Sequence, residues 1–380
     1  VILSGGGTGG HIMPALAIAE ELLKTEGMEV YYVGKEGSLE EELVQREGIK
    51  FYPIPVEGLP RKKVSAQTIH TMYSLFRGMR ACGKILKELK PDVVIGTGGY
   101  VCAPVVLKAQ QLGIPTVLQE QNAFPGKANR FLAKKANFVA LNFKEAKVYF
   151  NRKDNLVYTG NPIRKQFLEN IEKTEKKDRL TLLSFGGSGG QESTNNAIRE
   201  ILDREEKLPF NLIHITGRDY YDDFMRDLKD REEVTIYPFS MEIPRLMNQA
   251  DIVIASSSAM TLAEISALAK PSILIPKAYT AGNHQVFNGK SYESQGASIL
   301  IYEEDLTGEL LYDTILRLIE NESLREDMGQ AAHRLANKDA VKNIAERVLD
   351  LIHEKEKRYI VLDLLILKTF ALQNTVKNMD

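Results

Sequence analysis

Val1-Ile2-Leu3-Ser4-Gly5-Gly6-Gly7-Thr8-Gly9-Gly10-His11 is an apolar run that breaks into a glycine-rich turn and leads toward a helical stretch beginning near Met13. A strand that turns through glycines into a helix is a cradle for a phosphate or a sugar. Glycine tolerates positive φ and lets backbone approach a ligand closely, while the first amides of the following helix, unpaired and at its positive dipole end, attract anions. His11 stands at the mouth of that cradle, and Gly5, Gly7 and Gly10 also satisfy G-x-G-x-x-G, with the acidic Glu29 at the end of the next helix. Alone, this loop leaves a nicotinamide-dinucleotide reading, a nucleotide-sugar reading and a plain tight turn open.

Downstream, short apolar or β-branched runs alternate with helical patterns: Val30 to Val33, Val93 to Ile95, Thr116 to Leu118 and Phe138 to Leu141. The alternation restarts at Leu180 to Phe185 and continues through Leu212 to Ile215, Val234 to Tyr237, Ile252 to Ala255, Ser272 to Ile275 and Ser298 to Ile301. Such βα repetition predicts an α/β protein with parallel sheets and helices on both faces. The restart is again a strand running into glycines, Gly186-Gly187-Ser188-Gly189-Gly190, so two Rossmann-like domains are expected to face each other across a cleft. The boundary is placed near Gly160, in Gly160-Asn161-Pro162, ahead of the charged stretch Glu169 to Arg179.

The 380 residues, 43% of them hydrophobic, suffice for two cores, and disorder is not expected. A net charge of −2 supplies no global field toward nucleic acid, so an anionic partner must be met by local basic patches. Cys82 and Cys102 have neither a metal spacing nor a disulfide framework, as suits a reducing cytosol. No secretory signal is read at the start, and the apolar stretch Tyr359 to Leu367, interrupted by Asp363, falls short of the ~20 residues a membrane-spanning helix needs. Three terminal helices are expected over Leu306 to Glu320, Leu324 to Ala336 and Asp339 to Lys355, followed by a tail of unassigned role.

With both glycine loops in place, the other motifs resemble the MurG family of N-acetylglucosaminyltransferases from about Val1 to Ile352. The resemblance is carried by Gly6 to His11 with Pro14-Ala15-Leu16-Ala17, by Gly98-Gly99-Tyr100-Val101, by Glu120 to Arg130 (EQNAFPGKANR) and by Gly160 to Arg164 (GNPIR). In the second half it continues through Gly186 to Ser188, Thr261-Leu262-Ala263-Glu264, and His284-Gln285 with Asn288. It implies a GT-B fold with an N-terminal acceptor and membrane-docking domain (1–160 plus 338–355), a C-terminal donor domain (161–337) and a tail (356–380). The implied reaction is inverting, metal-independent and cofactor-free transfer of N-acetylglucosamine from UDP-N-acetylglucosamine to the 4-hydroxyl of the muramoyl sugar of lipid I. The implied setting is the cytoplasmic face of the plasma (inner) membrane, with an anionic membrane surface and cell-wall synthesis proteins as partners. No Asp-x-Asp follows a strand, in keeping with metal independence.

Single-displacement transfer needs a base for the acceptor hydroxyl and a stabiliser for the departing UDP. His11 is the candidate base, held neutral by its helix N-terminus, and Glu120 is an alternative base or the group orienting His11. On the donor side the resemblance places Thr8, Gly9, Gly10, Arg164, Gly187, Ser188, Asn195, Glu264, His284 and Gln285. Glu264 would accept the ribose hydroxyls, while the second glycine loop and Arg164 would hold the diphosphate. Tyr100, Asn122 and Asn129 match acceptor-side positions, where amides and a phenol suit sugar hydroxyls.

Three departures bear on the donor. The second loop, usually GGSQGA, has Gly189-Gly190-Gln191 after Ser188, and Asn283 replaces an Asp before His284-Gln285. The usual Arg-Ser/Ala-Gly-Ala before Thr261 is Ser256-Ser257-Ser258-Ala259, so a basic residue and a glycine are absent, though three hydroxyls at a helix start still suit an anion. For the membrane, the helix after Ser65 offers Ile69, Met72, Tyr73, Phe76 and Met79, with Arg61, Lys62, Lys63, Arg77 and Arg80 nearby. These apolar residues either meet the bilayer or pack on the sheet. The competing functions are another UDP-sugar enzyme of this fold (a glycerolipid glycosyltransferase or a UDP-N-acetylglucosamine epimerase), an NAD-dependent oxidoreductase, and a UDP-sugar-binding module without turnover.

Overall fold

The fold, a computed structural model, describes residues 1–58, 66–163, 165, 167, 179–187 and 189–357, without the side chains of 66–73 and 281. The first sheet contains β1 (Ile2–Gly5), β2 (Tyr31–Lys35), β3 (Lys50–Ile54), β4 (Val94–Gly98), β5 (Thr116–Glu120), β6 (Phe138–Leu141) and β7 (Leu156–Tyr158), in the order β3-β2-β1-β4-β5-β6-β7. The second contains β8 (Thr181–Phe185), β9 (Asn211–Ile215), β10 (Val234–Tyr237), β11 (Ile252–Ala255), β12 (Ser272–Leu274) and β13 (Ile299–Leu300), in the order β10-β9-β8-β11-β12-β13. Their pairings are parallel: Leu3 lies between Tyr32 and Ile95, and Leu183 between Ile213 and Val253. The central strands are buried on both faces, which is why they read as unbroken apolar runs.

Three expectations change. β3 and β7 lie at the sheet edges and were not anticipated: β3 carries Pro53 and is half exposed, and β7 has three residues. The first helix starts at Gly9 rather than near Met13, so His11 belongs to its first turn. Glu29 is not at a helix end, because that helix stops at Leu22 and Glu29 precedes β2. A ribose-binding acid in a dinucleotide fold belongs at the opposite, carboxyl end of β2, so the nicotinamide reading loses its acid.

In each sheet the strand order reverses once, between β1 and β4 and between β8 and β11. A reversal opens a crevice at the carboxyl ends of the strands, because successive connections leave toward opposite faces. Gly5–His11 and Gly98–Gly99 flank the first crevice, and Gly186–Gly190 and Ser256–Ser258 flank the second.

The last helix, 340–357, packs back on the first sheet. Ile344, Ala345, Val348 and Ile352 share a core with Val1, Leu3, Ala15 and Ile18, and Lys355 Nζ meets Asp92 Oδ1 at 2.9 Å. The chain thus passes between the halves twice, near 160 and near 337. The two passages touch: Gly160 has φ 81°, and a Cβ there would lie 2.4 Å from Asn337 Cβ. Residues 358–380, with the tail, lie outside the described residues.

Ile344 is fully buried in the first half's core, so Ile344→Ala should cost about 2–4 kcal/mol by deleting methylenes and leaving a cavity. A urea titration followed by far-UV circular dichroism reads this, and an unchanged midpoint would mean that the helix contributes nothing to that core.

Candidate active site

The first crevice is built by steric exclusion. A Cβ at Gly5 would lie 2.0 Å from Thr97 Oγ1, one at Gly6 2.4 Å from Glu40 Oε1, and one at Gly99 2.1 Å from Gly6 O. The buried Tyr32 hydroxyl holds the loop from below by donating to Gly5 O (2.6 Å). Thr8 caps the helix by position, and its Oγ1 lies 3.1 Å from His11 Nδ1. The His11 ring rests on Gly98, whose added Cβ would meet Cδ2 at 2.6 Å and Nε2 at 3.0 Å. Burial, helped by the charge of His284 from the other half, lowers the imidazole to about 4, against a hydrogen bond to the Gly6 backbone that acts to raise it. The side chain is only half-buried, so a ring neutral at pH 7 stays reachable from the cleft. Gly9 and Gly10 are half-buried with open space beside them, and Tyr100 lies over Gly7, partly exposed.

Glu120 occupies a different position from the one expected. Its buried carboxylate accepts four hydrogen bonds: Oε1 from Asn122 N (3.0 Å) and Asn122 Nδ2 (3.3 Å), Oε2 from Gly126 N (3.1 Å) and Asn129 Nδ2 (2.9 Å). Burial raises its pKa and these donors oppose the rise. His11 has Thr8 rather than Glu120 as its side-chain partner. Glu120 therefore shapes the 121–129 loop, and Asn129, buried and bonded to Glu120 and to Gln119 O, belongs to that scaffold. Asn122 reaches the other half: its Oδ1 accepts from Asn288 Nδ2 (3.1 Å), while Asn288 Oδ1 accepts from Ala123 N (2.8 Å). Beside this link Phe124 stacks on Phe287, with ring centroids 5.0 Å apart.

In the second crevice Gly187 and Gly190 have φ of 81° and 72°, and Gly190 packs so tightly that a Cβ would lie 2.0 Å from Thr216 O. Of the three serines expected to greet an anion, two are spent within the protein. Ser257 Oγ donates to Gln285 O (2.7 Å), and Ser258 Oγ caps the helix Ala259–Ala267 by accepting from Thr261 N (3.3 Å). Ser256 Oγ faces Gly187, 3.7 Å from where its Cβ would be. Glu264 is mostly buried one turn beyond Thr261. Gln285 Oε1 accepts from Lys277 N (2.9 Å), and His284 is half-buried at the start of the helix His284–Ser294, across from His11.

Asn195 sits behind the loop rather than in it. Its Nδ2 donates to Thr216 O (3.0 Å), which leaves Oδ1 to accept from His214 Nε2 (3.1 Å), so Nδ1 of the buried His214 accepts from Ser184 Oγ (3.1 Å). Burial lowers His214 to about 3, consistent with this neutral tautomer. No local pattern signals this triad, whose members come from two neighbouring strands and a helix. Arg164 and Ser188 lie outside the described residues. Among the described residues no three His, Cys, Asp or Glu side chains gather as a metal-ion site.

The helix Ala66–Leu89 divides its faces. Ser74, Gly78, Cys82 and Leu86, at four-residue spacing, turn inward, and a Cβ at Gly78 would meet Val56 Cγ1 at 2.6 Å. Leu75 and Phe76 (67% exposed), Arg77 and Arg80 turn outward, and Met79 is half-buried. The side chains of Ile69 and Met72 lie outside the described residues. Among the described residues no helix is long and apolar enough to cross a membrane.

Residues 1–141 match the glycosyltransferase family 28 N-terminal domain and residues 181–348 the glycosyltransferase family 28 C-terminal domain. A UDP-N-acetylglucosamine--N-acetylmuramyl-(pentapeptide) pyrophosphoryl-undecaprenol N-acetylglucosamine transferase of Acetivibrio thermocellus is 40% identical over 365 residues, 93% of this chain and 99% of its own. The enzyme of the same name from Caldanaerobacter subterraneus subsp. tengcongensis is 42% identical over 360 residues, 91% of this chain and 98% of its own. Among solved structures, Acinetobacter baumannii MurG superimposes with a TM-score of 0.74 at 25% identity, covering 92% of this chain and 99% of that one. A UDP-GlcNAc 2-epimerase from Neisseria meningitidis shares the fold alone, with a TM-score of 0.63 at 17% identity, 92% of this chain and 99% of that one. The chain belongs to glycosyltransferase family 28 and has the GT-B fold, so the oxidoreductase alternative is set aside.

Two outcomes follow from this geometry. His11 and His214 resist protonation in the folded state, so between the unfolded value of about 6.5 and their folded values the unfolded chain binds more protons. Stability therefore falls as pH drops through that window. For His214 alone the loss at pH 5 is about 2 kcal/mol, at ~1.4 kcal/mol per unit. Urea midpoints at pH 7 and pH 5 should differ less in His214→Asn than in the parent, and an equal difference would remove His214 from the effect. Glu120→Gln turns an amide donor toward backbone N–H groups and should cost about 1–3 kcal/mol. If Glu120 is scaffold, that variant keeps the parent's pH–rate limb; a lost limb would restore Glu120 as a base.

Proposed function

We propose that the chain transfers N-acetylglucosamine from UDP-N-acetylglucosamine to the muramoyl 4-hydroxyl of lipid I, giving lipid II in peptidoglycan synthesis. Full-length similarity to enzymes named for this transfer supports the substrates. The observation that carries the chemistry is the pair of switch-point glycine loops, one in each sheet, with His284 of the second half near enough to His11 of the first to act on its charge.

In this reading the second half holds the donor, with Glu264 on the ribose hydroxyls, Gly187 to Gly190 and Arg164 at the diphosphate, and His284 and Gln285 at the sugar. The first half holds the acceptor, with Tyr100 and Asn122 on its side of the cleft, while Thr8, Gly9 and Gly10 of the first loop reach toward the donor. His11 donates Nδ1–H toward Thr8 Oγ1, leaving Nε2 to take the proton of the 4-hydroxyl. That oxygen attacks C1 of the donor sugar from the face opposite UDP, inverting it. The C1–O bond to the β-phosphate breaks, and its electron pair leaves with UDP. Loop amides and cations stabilise the departing diphosphate, so no step requires a metal ion. A base at about 4 is weak on its own, and the negative charge of the donor's diphosphate nearby acts to raise it toward the working range.

The acceptor is a lipid, so the protein works peripherally at the cytoplasmic membrane face. Phe76 and Leu75 on the outer face of Ala66–Leu89, with Arg77 and Arg80 beside them, supply an apolar tip within a basic rim.

The test is UDP release from UDP-N-acetylglucosamine, with and without a short-chain lipid I analogue and without added metal. Acceptor-dependent release with disaccharide formation is expected, whereas sugar isomerisation without an acceptor would point to an epimerase. In the same assay His11→Ala should lower turnover at least ~100-fold with UDP binding retained, and near-normal turnover would exclude His11 as the base. Phe76→Asp should weaken binding to vesicles containing anionic lipid while turnover of a soluble acceptor is kept; unaltered vesicle binding would move the docking surface elsewhere.

A further inference from the structure

Position 256, beside the second glycine loop at Gly187, is serine and brings no cation to the donor crevice. The structure brings a cation to that loop from another strand. Lys277 follows β12, and its Nζ lies 2.6 Å from Gly190 O, in the second glycine loop. Its backbone N–H donates to Oε1 of the buried Gln285 (2.9 Å), and the next amide, Ala278 N, donates to Glu303. The lysine is thus held between the loop assigned to the diphosphate and the pair assigned to the donor sugar.

We propose that Lys277 meets the donor's diphosphate, supplying from the neighbouring strand end the cation that Ser256 does not bring to the second glycine loop. This rests on the donor site described under the proposed function. An ammonium carries three donors, and Gly190 O takes one, so Lys277 can hold the loop and a β-phosphate oxygen together. The two positions suit an exchange: Ser256 directly follows β11 and Lys277 lies just past β12, strands paired side by side with Ala255 opposite Leu274. Ser256 approaches the loop at Gly187 and Lys277 at Gly190, the two ends of the turn closed by Gly190 N donating to Gly187 O (3.1 Å). Arg218, on the rim of the same loop, has its guanidinium over the Phe239 ring, 4.6 Å from the centroid. Burial lowers the Lys277 pKa, and the Glu303 carboxylate facing it opposes the fall. A point charge delivered by a flexible stem fits a terminal phosphate whose charge grows as the glycosidic bond breaks.

The test uses the full chain with Lys277→Met, Lys277→Arg and the double variant Ser256→Arg/Lys277→Met. Titration calorimetry with UDP and with uridine separates phosphate recognition from base recognition. Lys277→Met should weaken UDP about tenfold and lower kcat about tenfold, with uridine affinity and the melting temperature unchanged. Lys277→Arg should keep most of both, and Ser256→Arg in the double variant should restore UDP affinity. Parallel losses of UDP affinity, uridine affinity and melting temperature, without rescue by Ser256→Arg, would make Lys277 a loop brace and overturn the proposal. UDP binding by Lys277→Met equal to the parent's would also overturn it. If the parent itself failed to bind UDP, the donor-site reading would fall instead, which separates the two failures.

Discussion

At both switch points backbone runs against backbone at distances no side chain survives. Gly99 lies over the Gly6 carbonyl and Gly190 over that of Thr216, and in each case a Cβ would fall about two ångströms from an oxygen. The rest of the site depends on this contact. It lets the strand ends close enough to turn their amides into the crevice, and it makes the flat floor on which the His11 ring lies. A methyl group there would part β1 from the start of the helix Gly99–Gln111 and tilt the imidazole off its axis.

Between the halves, buried amides work beside aromatic contacts such as Phe124 on Phe287 and Phe143 against Tyr292. Asn288 bridges Asn122, Ala123 and the Ser257 carbonyl, and Asn161 takes Gln119 on one side and the Ala259 carbonyl on the other. Buried amides tolerate few misalignments, since an unpaired one costs more than a paired one contributes. They fix the register across the cleft in a way that a greasy contact would not. Glu120 is central to this, because its four donors set the shape of the loop that presents Asn122 and Phe124 to the second half.

Much of this was legible in the sequence, and the parts that were not share a cause. Central strands such as Val94–Gly98 and Ile252–Ala255 announce themselves because burial on both faces leaves only apolar residues. Lys50–Ile54 and Leu156–Tyr158 do not, because the first is half solvated and carries Lys50 and Pro53 and the second is only three residues long, whereas the edge strand Val234–Tyr237 keeps a β-branched run that shows in sequence. The first helix was expected too late because Gly9 and Gly10 are poor helix formers, yet at the first two positions of a helix they cost little. Both glycine loops, His11 and the Glu120 to Arg130 motif could be found by spacing. That Glu120 would be saturated by four donors, that Ser257 and Ser258 would be used internally, and that Lys277 would reach Gly190 are facts of three-dimensional convergence, which no local pattern encodes.

The return of helix 340–357 to the first sheet has a consequence for how the molecule comes into being. Strands Thr181 to Leu300 and the helices through Leu335 form an uninterrupted stretch of chain, whereas the core around Val1 and Leu3 waits for Ile344 and Val348. During synthesis the half made first is therefore completed last, with an apolar groove on its sheet open until the ribosome has delivered nearly everything else. Closing so long a loop costs little more than closing one half its length, about 0.6 kcal/mol per doubling. The delay is in time rather than in free energy, and it exposes the nascent chain to capture by chaperones at that groove.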